Sequence, residues 1–129
     1  MLWPVPVLFF LSQDPLIKSI EGKDLYASYC ASCHGMDGKG GGPASAAMKV
    51  TPPDLTLISK RHKGKFPAKQ VEEYIAGKSK MPASHGSSEM PVWGPLFHRV
   101  ERDQDLGPVR LRNVVEYLRS IQKVPGNPK

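Results

Sequence analysis

The residues best suited to chemistry lie in one run, Cys30-Ala-Ser-Cys33-His34, which contains the only two cysteines of the chain. Two thiols three residues apart on a helical turn face the same way, so both can add to the vinyl groups of one porphyrin. The imidazole of His34 can then reach the iron from the same side. The run predicts one haem c, bound covalently through Cys30 and Cys33, with His34 as an iron ligand.

Other uses of a Cys-x-x-Cys pair fit this sequence less well. A thioredoxin-like redox pair is expected within a βαβ pattern, and no such pattern surrounds the cysteines. A closed zinc site needs two more ligands at metal-binding spacing, whereas His62, His85 and His98 stand singly. A disulfide across three residues would close too small a loop to stabilise the fold much.

The ligand on the opposite face of the iron separates an electron carrier from a ligand-binding protein. Methionine fills that position, whereas an open position permits gas binding or catalysis. The candidates are Met36, Met48, Met81, Met90 and the three isolated histidines. Met36 is too close to the motif to cross the porphyrin plane, and Met48 suits a packing role. Met81 and Met90 both precede proline, and the small polar residues before Met90 favour it as the ligand.

Length and charge limit the kind of protein and its partners. The chain has 129 residues, which predicts one domain, and its formal net charge is +6. The basic residues show neither an aromatic stacking pattern nor a nucleic-acid motif, so we expect no nucleic-acid partner. A redox partner with an acidic docking surface explains the charge equally well. We expect a monomer with no small-molecule substrate.

The ends of the chain differ from its centre. Residues 1–14 form an apolar N-terminal segment that is too short to cross a bilayer, which takes about 20 residues. The segment lacks a positive beginning and an Ala-x-Ala cleavage site. A shortened secretion signal, a misassigned start and an apolar arm all remain open. Residues 15–124 are expected to form the domain, and residues 125–129 a flexible tail.

Helical spacing recurs along the domain. Residues 19–33 predict a first helix with Ser19 as its N-cap, and residues 67–76 predict a second that ends at Gly77. Residues 94–99 predict one short turn. The last helix, over residues 109–122, has the clearest apolar stripe: Leu111, Val114, Val115, Leu118 and Ile121. No segment alternates as a strand does, so we expect an all-α fold of three to five short helices wrapped around one haem.

Several segments together resemble a bacterial class I c-type cytochrome over about residues 19–123. They are Cys30 to Gly35, the glycine-rich loop ending Gly42-Pro43, Pro53-Asp54-Leu55, Met90-Pro91-Val92-Trp93-Gly94 and the helix with Val115, Tyr117 and Leu118. The resemblance implies a monohaem electron carrier rather than an enzyme. Its iron, held by His34 and Met90, would cycle between Fe(II) and Fe(III) and pass electrons between respiratory redox partners. The alternative is a gas-binding or peroxidatic haem protein with a labile Met90.

The resemblance also implies roles for residues around the haem. The first and last helices are expected to cross, with Gly22 and Tyr26 meeting Tyr117. The carbonyl of Pro43 would accept a hydrogen bond from the ring nitrogen of His34 that does not bind iron. Trp93 would lie near a haem propionate or the haem edge.

The resemblance bears on docking and location as well. Lysines such as Lys39, Lys49 and Lys80 are expected around the exposed haem edge, where they would face an acidic partner. Haem attachment of this kind takes place outside the bacterial cytoplasm. We therefore expect a periplasmic protein, either soluble or loosely associated with a membrane.

Overall fold

The computed structural model describes residues 17–78, 90–99 and 105–123. Some sequence predictions fall outside these ranges and stay predictions. They concern the N-terminal segment 1–14, Lys80, Met81, His85 and the tail 125–129.

The described residues form helices and no strand, which confirms the all-α fold class. The α-helices are α1 (Gly22–Tyr29), α2 (Ala31–His34), α3 (Ile58–Arg61), α4 (Ala68–Ile75), α5 (Gly94–His98) and α6 (Gly107–Ser120), with 3-10 turns at Ser45–Ala47 and Leu55–Leu57. The number is one above the predicted three to five helices. The first predicted helix is divided at Cys30, and α3 was not predicted. None of the helices in the described ranges is long and apolar enough to cross a membrane.

The first helix begins later than predicted, because Ser19 does not act as its N-cap. The Ser19 hydroxyl accepts a hydrogen bond from the amide of Glu21 at 3.1 Å and donates one to Asp24 at 2.8 Å. Glu21 occupies the N-cap position with an extended backbone. Ser19 therefore supports a local turn before the helix. Short polar side chains favour such turns because they bond nearby backbone groups, and these bonds compete with helix formation.

The other predicted helices lie close to their expected positions. Helix α4 is followed by Gly77, whose φ of 75° is the left-handed backbone that ends helices. Helix α5 forms at the predicted turn, and α6 starts two residues earlier than expected, with a proline in its first turn.

Helices α1 and α6 cross at Gly22, as predicted. A Cβ built on Gly22 would collide with the backbone carbonyl oxygen of Asn113 and would lie 3.0 Å from Cβ of Tyr117. One turn later, the rings of Tyr26 and Tyr117 pack with centroids 5.2 Å apart. Glycine thus allows two helix backbones to approach closely at this point.

The buried core lies between α1, α5 and α6. Its fully buried members include Leu25 and Val114, both without exposed surface. The Tyr29 ring lies 5.2 Å from the ring of Trp93 and 5.6 Å from that of Phe97, so aromatic packing joins α1 to α5. The core therefore brings the Trp93 segment beside the end of α1, where the cysteine motif begins.

A buried arginine fastens the segment before α1 to α6. The Arg110 side chain has no exposed surface, and it donates to the carbonyls of Ser19 at 3.2 Å and Lys18 at 2.9 Å. Asn113 adds a 2.7 Å hydrogen bond to the carbonyl of Ile20. Two side chains of α6 thus hold residues 18–20 in place ahead of the helix.

Candidate haem-binding site

The cysteine motif lies on two nearly continuous helical turns at the junction of α1 and α2. The amide of Cys30 donates to the carbonyl of Tyr26 at 2.9 Å, and the amide of His34 donates to that of Cys30 at 2.9 Å. This i to i+4 ladder places Cys30, Cys33 and His34 on one side of the turn. The predicted grouping of two thiols and one imidazole is therefore present in the backbone.

No disulfide joins Cys30 and Cys33. Burial, with a smaller effect from the neighbouring Cys33, raises the pKa of the Cys30 thiol to about 12. Cys33 is half-buried, and the Ser32 hydroxyl lies 4.0 Å from its sulfur. Two cysteine side chains at this spacing can add to the two vinyl groups of one haem, so the turn fits haem c.

His34 presents one defined tautomer. Its Nδ1 lies 3.3 Å from the carbonyl oxygen of Pro53. Because a carbonyl only accepts, Nδ1 carries the proton and Nε2 keeps a free lone pair. Burial lowers the pKa of the imidazole, which is 7% exposed, although the bond to Pro53 works in the opposite direction. A neutral ring with Nε2 free is the form that binds iron.

The predicted hydrogen bond from His34 to Pro43 is wrong, because the accepting carbonyl belongs to Pro53. The glycine-rich loop turns back along α2 immediately after Gly35, and its hydrogen bonds hold Pro43 beside the α2 backbone. The chain then returns past the imidazole ring at Pro53. A hydrogen bond from the His34 ring to a proline carbonyl was therefore predicted, but the predicted proline was the wrong one.

The loop completes the hydrogen bonding of α2. The amide of Gly40 donates to the carbonyl of His34 at 2.7 Å, and the amide of Gly42 donates to that of Cys33 at 3.1 Å. The amide of Ala44 donates to the carbonyl of Ser32 at 2.8 Å. A Cβ on Gly42 would lie 2.5 Å from the carbonyl oxygen of Ala31 and would also collide with that of Ser32. The glycine-rich composition thus lets the loop backbone lie directly on the motif.

Tyr26 supports the same turn from inside the core. Its hydroxyl donates a 2.7 Å hydrogen bond to the carbonyl of Gly35, the residue directly after His34. Burial raises the pKa of Tyr26 well above its ordinary value, so the hydroxyl keeps its proton and remains a donor. The resemblance placed Tyr26 at the crossing of the first and last helices but gave no signal for this bond.

Met90 and Trp93 lie on the segment leading into α5. Both are half-buried and pack against the core cluster. The amide of Trp93 donates to the carbonyl of Ile75 at 3.1 Å, which ties the segment to the end of α4. Met36 is 68% exposed, and Met48 is half-buried outside the core cluster. Binding of iron by Met90 and contact of Trp93 with haem stay predictions.

The comparisons with known proteins agree with this geometry. The family model described as cytochrome c matches residues 19–122. The chain belongs to the cytochrome c family. No curated protein and no solved structure matches it significantly. Cytochromes c bind haem c covalently through cysteine and use it for electron transfer, so the cofactor of this cytochrome is haem c on Cys30 and Cys33.

Two features of this cytochrome c site escaped the sequence reasoning. Pro53 and Asp54 stood in a motif that carried the resemblance, yet nothing in their spacing showed which carbonyl faces His34. Asp54 caps the following 3-10 turn by accepting from the amide of Thr56 at 2.8 Å and from its hydroxyl at 2.6 Å. Gln122 bonds the carbonyl of Leu55 and the amide of Ser59 through its side chain, and it carried no signal, because glutamine at the end of a predicted helix is common on protein surfaces.

Proposed function

We propose that this cytochrome c is a monohaem electron carrier of the bacterial class I type, with His34 and Met90 on the iron. The observation that carries the proposal is the buried, neutral imidazole of His34, which directly follows Cys33 and has its Nδ1 proton held by Pro53. When bound, haem c supplies a one-electron couple between Fe(II) and Fe(III). Transfer between respiratory redox partners is the role that this couple would serve.

The protein's own residues would keep the ligands in place during electron transfer. His34 is fixed by the Pro53 carbonyl on its ring and by the Gly40 amide on its backbone. Met90 leads into α5, whose Phe97 is 1% exposed in the core. Side chains that stay in place in both oxidation states keep the reorganisation energy low, which suits a carrier.

Substitution of single methionines tests the ligand assignment. We expect Met90→Ala to lose the sulfur-to-iron absorption band of the oxidised protein. Met36→Ala is the matched control, because this side chain is 68% exposed and should leave the band unchanged. Met81→Ala addresses the second candidate. Loss of the band in the Met81 variant, with retention in the Met90 variant, would reassign the ligand.

Carbon monoxide distinguishes the carrier from the gas-binding or peroxidatic alternative. A methionine-ligated iron has no open position, so we expect slow and incomplete binding to the reduced protein at neutral pH. Rapid, complete binding would favour the alternative and would show that Met90 is labile.

We propose that the partner presents an acidic surface. The protein carries a net charge of +6, and Lys39 and Lys49 are exposed on the chain that follows the haem-attachment turn. Electron transfer should therefore slow as ionic strength rises. Lys39→Glu should reduce the rate more than Lys69→Glu on α4, a side chain that is 90% exposed. A rate that is insensitive to salt would exclude this docking surface.

We further propose that the protein is a monomer outside the bacterial cytoplasm, in the periplasm or loosely attached to a membrane. This location matches the haem attachment on Cys30 and Cys33, which in bacteria takes place on the far side of the inner membrane. Cell fractionation followed by a haem stain of the soluble and membrane fractions tests the location. Size-exclusion chromatography of the haem-loaded protein tests the monomer.

A further inference from the structure

We propose that Gln122 positions the iron-binding imidazole of His34, although it lies beyond the end of α6 and does not contact that ring. The inference rests on the proposed function, in which His34 binds the iron. Gln122 would act through residues 53–59, here called the bracing segment, which carries the Pro53 carbonyl. Two links connect Gln122 to His34, one from Gln122 to the bracing segment and one from that segment to His34.

The first link consists of three hydrogen bonds from one side-chain amide. Gln122 Nε2 donates to the carbonyl of Leu55 at 2.6 Å and to that of Leu118 at 2.7 Å, and Oε1 accepts from the amide of Ser59 at 2.9 Å. The amide therefore makes two hydrogen bonds to the bracing segment and a third to α6. Leu55 and Ser59 lie 67 and 63 residues away in sequence, so the contact is a tertiary one.

The second link runs from Leu55 to the carbonyl that faces His34. The amide of Leu55 donates to the carbonyl of Gly38 at 2.7 Å, so both backbone polar groups of Leu55 are held. Pro53 lies only two residues upstream, and Asp54 between them is fixed by its bonds to Thr56. With its neighbours fixed in this way, the Pro53 carbonyl stays 3.3 Å from Nδ1 of His34.

The end of α6 supplies a second attachment that does not involve the glutamine side chain. The amide of Lys123 donates to the carbonyl of Thr56 at 2.9 Å. Loss of the Gln122 amide should therefore loosen the bracing segment without detaching it. A protein that still folds is the condition under which a positioning role can be measured.

The consequence for the iron follows from the hydrogen bond on Nδ1. A carbonyl that accepts the Nδ1 proton makes the imidazole a stronger donor through Nε2. A stronger donor stabilises ferric more than ferrous iron. Loosening the Pro53 carbonyl should therefore raise the reduction potential and expose the Nδ1 proton of His34 to exchange with water.

The test compares two amide-to-apolar substitutions in the haem-loaded protein. Gln122→Met keeps the length of the side chain and removes its hydrogen bonds. Asn113→Leu is the matched control, because Asn113 also uses its side-chain amide to hold a distant carbonyl, that of Ile20, at 2.7 Å. The readouts are the reduction potential, the exchange rate of the Nδ1 proton of His34 by NMR of the reduced protein, and the melting temperature.

We expect both variants to melt at lower temperature, and only Gln122→Met to raise the potential and to speed Nδ1 exchange at least tenfold. If Gln122→Met and Asn113→Leu give the same potential and exchange rate, Gln122 is only structural and the inference is wrong. Gln122→Ala repeats the comparison with a smaller side chain. A wild-type spectrum showing that His34 does not bind the iron would overturn the proposed function itself, which distinguishes the two failures.

Discussion

Replacing Gly22 with alanine is expected to lower the free energy of unfolding of the haem-loaded protein by about 2 kcal/mol. The new Cβ would collide with the backbone carbonyl oxygen of Asn113, lie 2.8 Å from its carbonyl carbon and lie 3.0 Å from Cβ of Tyr117. A backbone carbonyl cannot rotate away as a side chain can. Helices α1 and α6 must therefore move apart along the contact that forms the centre of the core.

The magnitude combines three contributions. Overpacking of a close-packed contact costs about 1–3 kcal/mol. Separation of the helices weakens the 2.7 Å bond from Asn113 to the carbonyl of Ile20, which contributes about 1 kcal/mol. Alanine gains up to about 1 kcal/mol of helix propensity over glycine, although less at Gly22, the first residue of α1. Overpacking and the weakened Asn113 bond together cost more than the gain in helix propensity, so Gly22→Ala should lower the free energy of unfolding.

Thermal unfolding followed by far-ultraviolet circular dichroism measures this effect. For a domain of this size, a loss of about 2 kcal/mol corresponds to a fall of about 10 °C in the melting temperature. Gly41→Ala is the control, because a Cβ there meets nothing within 4 Å and only the φ of 73° is strained. Gly22→Val should be less stable than Gly22→Ala. Unchanged or increased stability of Gly22→Ala would refute the close helix approach.

Three further substitutions have defined outcomes. Gly42→Ala should lower the yield of haem-loaded protein, measured by absorbance per milligram, because its Cβ would displace the loop from the attachment turn. Arg110→Met should lower the free energy of unfolding by about 2 kcal/mol in denaturant titration, since the carbonyls of Lys18 and Ser19 lose their donor, whereas Arg112→Met, at an exposed position, should not. Bonds from the Gly107 amide and His98 lower the pKa of Asp105 below its ordinary 3.8, so the stability they confer is present above that pH and is lost as pH falls through the lowered value. The melting temperature of wild type relative to Asp105→Asn should therefore fall on acidification; a constant difference would contradict the shift.

Sequence reasoning succeeded where the signal was local and periodic. Helix α6 was predicted to within two residues because its apolar residues recur at helical spacing. The start of α1 was misplaced by three residues because the path of residues 18–20 depends on Arg110, which lies 91 residues from Ser19. Such a contact leaves no trace in the local pattern. Helix ends are therefore harder to predict from sequence than the existence of a helix.

The partner of His34 shows the same limit within the site. Pro43, the predicted partner, and Pro53, the observed one, both follow the glycine-rich stretch, and both have a carbonyl that could accept from the ring. Which carbonyl faces His34 depends on the path of the loop. Hydrogen bonds between backbone groups set that path, and nearly every residue type can make them. The resemblance therefore predicts that a carbonyl accepts a hydrogen bond from the imidazole, but only the folded path selects Pro53.

The short length of α2 explains why the loop controls the haem-attachment turn. A helix of four residues cannot satisfy its own last carbonyls, and it is too short to be stable alone. The amides of Gly40, Gly42 and Ala44 supply those partners, and Tyr26 fixes the carbonyl just beyond. The position of His34 is thus held by a backbone that needs glycine for close approach rather than for flexibility. The glycine-rich loop, which would be mobile in isolation, is fixed here because its amides donate hydrogen bonds to the carbonyls of α2.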